Sequence, residues 1–211
     1  MRNTIPPRQY SEQGAQLIFP KDAFAGGTWI GASGRKRFVC LLNGGFTAHE
    51  RKDQYRMSRG ILVTDLLTAT DAVAAIQAYD FKGVEPFTLV MVDWQMGWKL
   101  FQLVWDEQNA HFEEKPLRPY IWSSSLLYSE TIRKKREHWF AEFLNRYPSP
   151  SEGDLLTFHK TAGEGNAQND VVMDRGFVKT KSITQVVAQD SFHMRYEDLQ
   201  QHTVSETSLI Y

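Results

Sequence analysis

The sequence has 211 residues, 42% of them hydrophobic and 23% charged, enough to bury an apolar core without disulfide or metal staples. A formal net charge of −1 supplies no long-range field for nucleic acid or an anionic membrane, so neither is an expected partner. The one cysteine, Cys40, excludes an internal disulfide. With no apolar run of about 18 residues and no apolar signal core at the start, no membrane span is expected and the cytoplasm is the expected location.

In chain order, residues 1–16 are polar with Pro6-Pro7 and read as an extended arm or loop. Gln16 to Phe19 reads as a short strand. Gly26-Gly27 then supply a tight turn, and Trp29-Ile30 begin an extended segment that Gly34 ends. Arg37 to Leu42 is almost continuously apolar, which predicts a strand covered on both faces. Arg51 to Arg56 is a charged loop. Ser58 is placed to cap a helix running to about Leu67, and Thr70 a second one to about Tyr79.

After a loop from Asp80 to Pro86, two strands are predicted, Phe87 to Val92 and Lys99 to Trp105, joined by a turn at Trp94 to Gly97. Shorter extended pieces follow at Ala110 to Glu113 and Tyr120 to Trp122. Ser129 opens the longest helix, with Ile132, Trp139, Phe140, Phe143 and Leu144 on one face, ending before Pro148. Ser151 leads a shorter helix to about His159. Thr161 to Asp170 is a polar loop, and Phe177 to Val187 and Phe192 to Tyr196 read as closing strands. Strand groups alternate with helix pairs, so the expected class is α+β, with mostly antiparallel sheets and helices layered outside, in one domain over 1–211.

The segments PKD (Pro20 to Asp22), AGGTWIG (Ala25 to Gly31), RFVCLLN (Arg37 to Asn43) and SRGILV (Ser58 to Val63), in this order and spacing, resemble the NRDE family. Its members are also called transport and Golgi organisation protein 2 homologues. IWSSSLLY (Ile121 to Tyr128) and TKSIT (Thr180 to Thr184) sit where that family has further motifs. The resemblance implies an N-terminal-nucleophile hydrolase-like fold, a four-layer αββα sandwich. It also implies a nucleophilic cysteine exposed at position one, whose own α-amine acts as general base. Neither that cysteine nor an Asn-Arg-Asp-Glu motif occurs in this sequence. Two readings follow: a start that omits the first strands, which is favoured, or a true loss of the nucleophile. On either, the chain as given is expected to be inactive.

The site expected from the resemblance has Asn43, Ser124 and Lys181 as catalytic residues and Gly27, Thr28, Trp29, Gly44 and Arg59 as substrate-binding residues. Asn43 ends the apolar strand before Gly44-Gly45. An Asn in this place supports an oxyanion hole in the bile-salt-hydrolase branch of the fold; the alternative is a turn-capping Asn in left-handed geometry. Ser124 and Lys181 stand where many family members have Asn and Arg, which loses bidentate hydrogen bonding. Ser123 to Ser125 read as hydroxyls on alternating faces of a strand. Cys40 reads as an inert core thiol, because a thiolate is disfavoured in an apolar run. The scattered histidines and the run Arg133 to Arg136 suggest no metal site and a solvated helix surface.

No cofactor is expected. Two functions are carried forward. One is hydrolysis of a linear small-molecule amide by the chain complete with its N-terminal cysteine. The other is non-catalytic binding of haem or an acyl lipid in an aromatic-walled pocket, with His49 as the nearest axial candidate for haem.

Overall fold

The structure, a computed structural model, describes residues 4–210. Seven strands follow one another into one antiparallel sheet: β1 (Thr4–Glu12), β2 (Ala15–Asp22), β3 (Ile30–Ser33), β4 (Arg37–Asn43), β5 (Phe87–Asp93), β6 (Lys99–Trp105) and β7 (Ala110–Lys115). The order is sequential because each strand turns back on its predecessor. Gln13 and Gly14, both at positive φ, make the tight β1–β2 turn. Between β4 and β5 the chain leaves the sheet for two short helices, α1 (Arg59–Thr68) and α2 (Ala72–Ala78).

Strand alternation sends side chains to two different cores. Leu17, Phe19, Val39, Leu41, Leu89, Met91, Phe101 and Leu103 face α1 and α2, where they meet Leu62, Val63, Leu66, Leu67 and Ile76. Ile18 and Ala32 point the other way, onto Trp94, Phe192, Met194 and Leu209. The last three belong to a second antiparallel sheet of β8 (Ser182–Ala188), β9 (Ser191–Asp198) and β10 (Thr203–Ile210), ordered β10-β9-β8. Its outer face is covered by α4 (Glu152–Thr161): Gln185 Nε2 donates to Glu152 O at 2.8 Å, and Lys160 Nζ lies 2.8 Å from Glu197 Oε2. The preceding α3 (Glu130–Arg146) joins α4 through Phe140, Phe143 and Phe158. The layers are therefore helix, sheet, sheet, helix.

Arg37 fastens the first two layers. It is almost wholly buried, its Nε donates to Asp93 Oδ2 at 2.7 Å, and its Nη1 donates to the carbonyls of Leu66 (2.6 Å) and Ala69 (2.7 Å). These carbonyls lie at the end of α1, where helix geometry leaves them unpaired.

Several expectations are corrected. The expected N-terminal arm is strand β1, with Pro6 and Pro7 accommodated by a register shift between Ile5 and Arg8; residues 1–3 lie outside the described residues. Tyr120 to Trp122 is not a strand, and Ser123 to Ser125 pass from irregular chain into a turn, so their hydroxyls do not alternate across a sheet. The cap of α2 is Asp71 rather than Thr70. The strand predicted from Phe177 starts at Ser182, and β10 went unread. Arg37 to Leu42 is covered fully on one face only: Phe38, Cys40 and Leu42 are half-buried. The basic run is not wholly solvated. Arg136 is buried, its guanidinium 3.6 Å from the Tyr128 ring centroid and donating to the carbonyls of Asn169 and Asp170.

Candidate functional site

At the β4 exit the glycine turn, the loop Gly44 to Met57 and the start of α1 enclose a cleft of about 480 Å³. The turn is built by Asp22, whose Oδ1 accepts the N–H groups of Phe24 (2.9 Å) and Ala25 (3.0 Å), and by Gly26 at positive φ. Thr28 is buried and donates from its hydroxyl to Pro20 O at 2.6 Å, with Ile30 O also within reach at 2.8 Å. That hydroxyl fixes the turn. Trp29 follows and lines the cleft together with Phe24, Tyr55 and Met57.

The opposite wall is polar. Ser58 caps α1 by accepting Gly60 N–H, which sets Arg59 at the cleft. Arg59 Nη2 lies 3.0 Å from Glu85 Oε2, and its Nη1 donates to Pro86 O at 2.9 Å; both side chains are largely buried. Burial pulls the Arg59 guanidinium below its ordinary value, and the Glu85 charge opposes that shift. The other Glu85 oxygen lies 3.5 Å from His49 Nε2 and 3.9 Å from Arg51 Nε. One buried carboxylate thus ties α1 to the loop that forms the cleft's outer wall. Asn43 projects at the rim, exposed and close enough to line the same space.

Of the residues expected from sequence, Gly27, Thr28, Trp29, Asn43 and Arg59 line this one cleft. Gly44, Ser124 and Lys181 are not among its lining residues. Gly44 has φ +92°, and a Cβ there would come within 2.3 Å of Ser125 Oγ, so its freedom serves close packing of the 124–126 segment. Ser124 donates to Asn43 O at 2.6 Å and supports the backbone behind the cleft. Lys181 precedes β8 in the other sheet, where its carbonyl accepts Leu199 N–H. His49 is not a cleft residue either, and both its ring nitrogens are buried.

The sequence reading missed Glu85, Phe24, Tyr55 and Met57. Glu85 had a signal: it is the single charge in the mostly apolar stretch Val84 to Met91.

Chemically, the cleft offers apolar and aromatic surface, an amide at the rim, and cationic groups held by a buried carboxylate. Cys40 does not serve it. That residue alternates with Val39 and Leu41 to the far face of β4, and burial pushes its thiol up to about 12. Among the described residues, no group of three or more His, Cys, Asp or Glu side chains is disposed to hold a metal ion. No helix among them is long and apolar enough to cross a membrane.

Two facing antiparallel sheets between helix layers, with a cleft at the end of the larger sheet, give the chain an N-terminal-nucleophile hydrolase-like fold. A solved structure of a variant of conjugated bile acid hydrolase from Clostridium perfringens shares this fold with a TM-score of 0.56, at 8% sequence identity, over 92% of this chain and 77% of that one. The chain belongs to the family described as Transport and Golgi organisation 2, whose model matches residues 1–205. No curated protein matches it.

Proposed function

We propose that the cleft binds a small molecule with an apolar body and an amide or acyl group. In this reading a linear amide is hydrolysed when an N-terminal cysteine completes the site. The observation that carries the reading is that Trp29 and Asn43 line one cleft beside the Arg59–Glu85 pair. The indole and its apolar neighbours hold the body of the ligand, and the Asn43 amide is a hydrogen-bond donor for a carbonyl or developing oxyanion. The name of the solved relative, a hydrolase of conjugated bile acids, supports a small-molecule ligand.

The second reading is a carrier of acyl ligands without catalysis. It is favoured by the apolar wall and by the one thiol, Cys40, lying outside the cleft lining with burial holding it protonated. Haem is the weaker ligand for this role: the cleft has no histidine or cysteine, and its axial candidates are engaged elsewhere, the Tyr55 hydroxyl accepting Lys52 N–H and the Met57 sulfur accepting the Tyr79 hydroxyl.

Titration of the chain with an N-acyl amino acid, read by tryptophan fluorescence, tests binding. Saturable quenching that is lost in Trp29→Phe and weakened about tenfold in Asn43→Ala is expected, roughly one hydrogen bond's worth of affinity. Absence of saturable quenching rejects the cleft as a ligand site. Release of the amine, followed in parallel on the chain completed with the N-terminal cysteine that the hydrolase reading requires, separates hydrolase from carrier.

A further inference from the structure

The basic run on α3 has one buried donor left over. Lys134 Nζ lies 2.6 Å from Glu130 Oε1, and Lys135 Nζ lies 2.8 Å from Glu164 Oε2. The buried Arg136 is taken up by the Asn169 and Asp170 carbonyls. Arg133 donates from Nη2 to Phe46 O at 3.0 Å, which fixes the plane of its guanidinium. Its Nε is buried and has no partner among the described residues. A buried donor left unmet is costly, and buried polar groups are nearly always met by protein, water or ligand.

Arg133 borders a cavity of about 130 Å³, roughly four times the volume a water molecule takes up. This cavity is not at a sheet edge. It lies over β5 and β6, between residues 45–46 and 121–123, with α3 across it. Ser123 and Glu137 border it too. No hydrogen bond among the described residues engages the Ser123 hydroxyl. Glu137 is exposed and stands one helical turn beyond Arg133. These two opposite charges form no ion pair with each other among the described residues, and their order, cation first, is the less favourable one along a helix. They leave between them a place for a molecule that carries both charges. Val104, Ile121 and Trp122 supply the apolar wall, and the Trp122 N–H is already donated to Gln102 Oε1 at 2.7 Å.

We propose that this cavity binds a small free α-amino acid, of the size of glycine or alanine. The carboxylate accepts from Arg133 Nε and the Ser123 hydroxyl, as charge-assisted hydrogen bonds. The ammonium faces Glu137, and a methyl group or hydrogen meets Val104 and Ile121. A carboxylate without the ammonium sets its charge against Glu137 uncompensated, and an amine without the carboxylate leaves the Arg133 donor unmet. The volume excludes a long side chain. The cavity shares no lining residue with the cleft at Trp29, so neither reading rests on the other.

Isothermal titration of the chain with glycine and L-alanine tests this. Saturable one-to-one binding is expected, with acetate, methylamine and L-leucine at least about tenfold weaker. Glu137→Gln should weaken alanine about tenfold and leave acetate no weaker, a split that a merely structural change would not produce. Ser123→Ala should weaken both. Arg133→Gln should abolish both; its Nη2 also holds Phe46, so the other two variants keep the test open if this one does not fold. Absence of saturable binding overturns the proposal. So does equal binding of acetate and alanine, which marks a simple anion site, and so does alanine binding unchanged in Glu137→Gln. Loss of binding in the chain completed with an N-terminal cysteine also overturns it, by showing that preceding residues fill the cavity. Trp29→Phe should leave the alanine isotherm unchanged; a change there would place the binding in the cleft instead and overturn this site alone.

Discussion

Gly27 and Gly60 meet backbone to backbone: a Cβ on Gly27 would sit 2.7 Å from the Gly60 carbonyl carbon, and one on Gly60 would sit 2.9 Å from the backbone of Thr28. This contact seats the glycine turn on the first turn of α1. It thereby fixes the separation of the two cleft walls, Trp29 on one side and Arg59 on the other.

Gly27→Ala and Gly60→Ala are each expected to destabilise the fold. Overpacking against backbone costs about 1–3 kcal/mol. At Gly60 the better helix propensity of alanine returns about 1 kcal/mol, so its net loss is the smaller of the two. Urea unfolding midpoints measure both, and an unchanged midpoint in Gly27→Ala would show that the contact has slack.

Arg37→Met removes the cation that closes α1 onto the sheet. It leaves Asp93 without its guanidinium partner and the Leu66 and Ala69 carbonyls without their donor. Breaking one side of a buried pair costs about 3–5 kcal/mol. Denaturation of this variant beside Asp93→Asn and the double variant measures the coupling. Simple additivity of the two losses would refute it.

Cys40 is expected to resist alkylation in the folded chain. With its thiol pushed from an ordinary value near 9 up to about 12, the thiolate fraction at pH 8 falls about a thousandfold, and so does the iodoacetamide rate. Denaturant should restore the ordinary rate. The linkage has one sign: the raised pKa means the native state holds the proton more tightly. Stability is therefore unaffected below about pH 9 and declines as the pH rises towards 12. Cys40→Ala should remove that part of the alkaline decline, seen in melting temperature against pH.

Glu85→Gln keeps the shape of the cleft floor but leaves Arg59 without a counter-charge. A stability loss of about 2 kcal/mol is expected, smaller than for a fully buried pair because both side chains retain some solvent. The loop carrying His49 and Arg51 loses its anchor as well, so its amides should exchange faster. If exchange in the 44–57 loop is unchanged, Glu85 does not hold that wall.

What could be read directly were features whose cause is local. Ser58, Ser129 and Ser151 cap α1, α3 and α4 because an N-cap acts within its own first turn. The β5–β6 hairpin was legible from its alternation and turn. β1 and β10 were not, since both are edge strands rich in polar residues and carry little hydrophobic pattern. Arg136 looked solvated because sequence gives no hint that Tyr128 and the 169–170 carbonyls would surround it. Ser124 occupied a motif position yet points to the Asn43 carbonyl, a contact spanning 81 residues of chain.

The sequence alone determined where α1, α3 and α4 begin, the β5–β6 hairpin, and that a glycine turn precedes Trp29, because propensity, capping and alternation act over a few residues. Tertiary structure decided which residues share the cleft. Glu85 reaches Arg59, His49 and Arg51 only after β4, α1 and the approach to β5 have packed. Pairings of that kind depend on long-range closure, and the physical cost or gain of a buried charge is set by neighbours that no local stretch of sequence names.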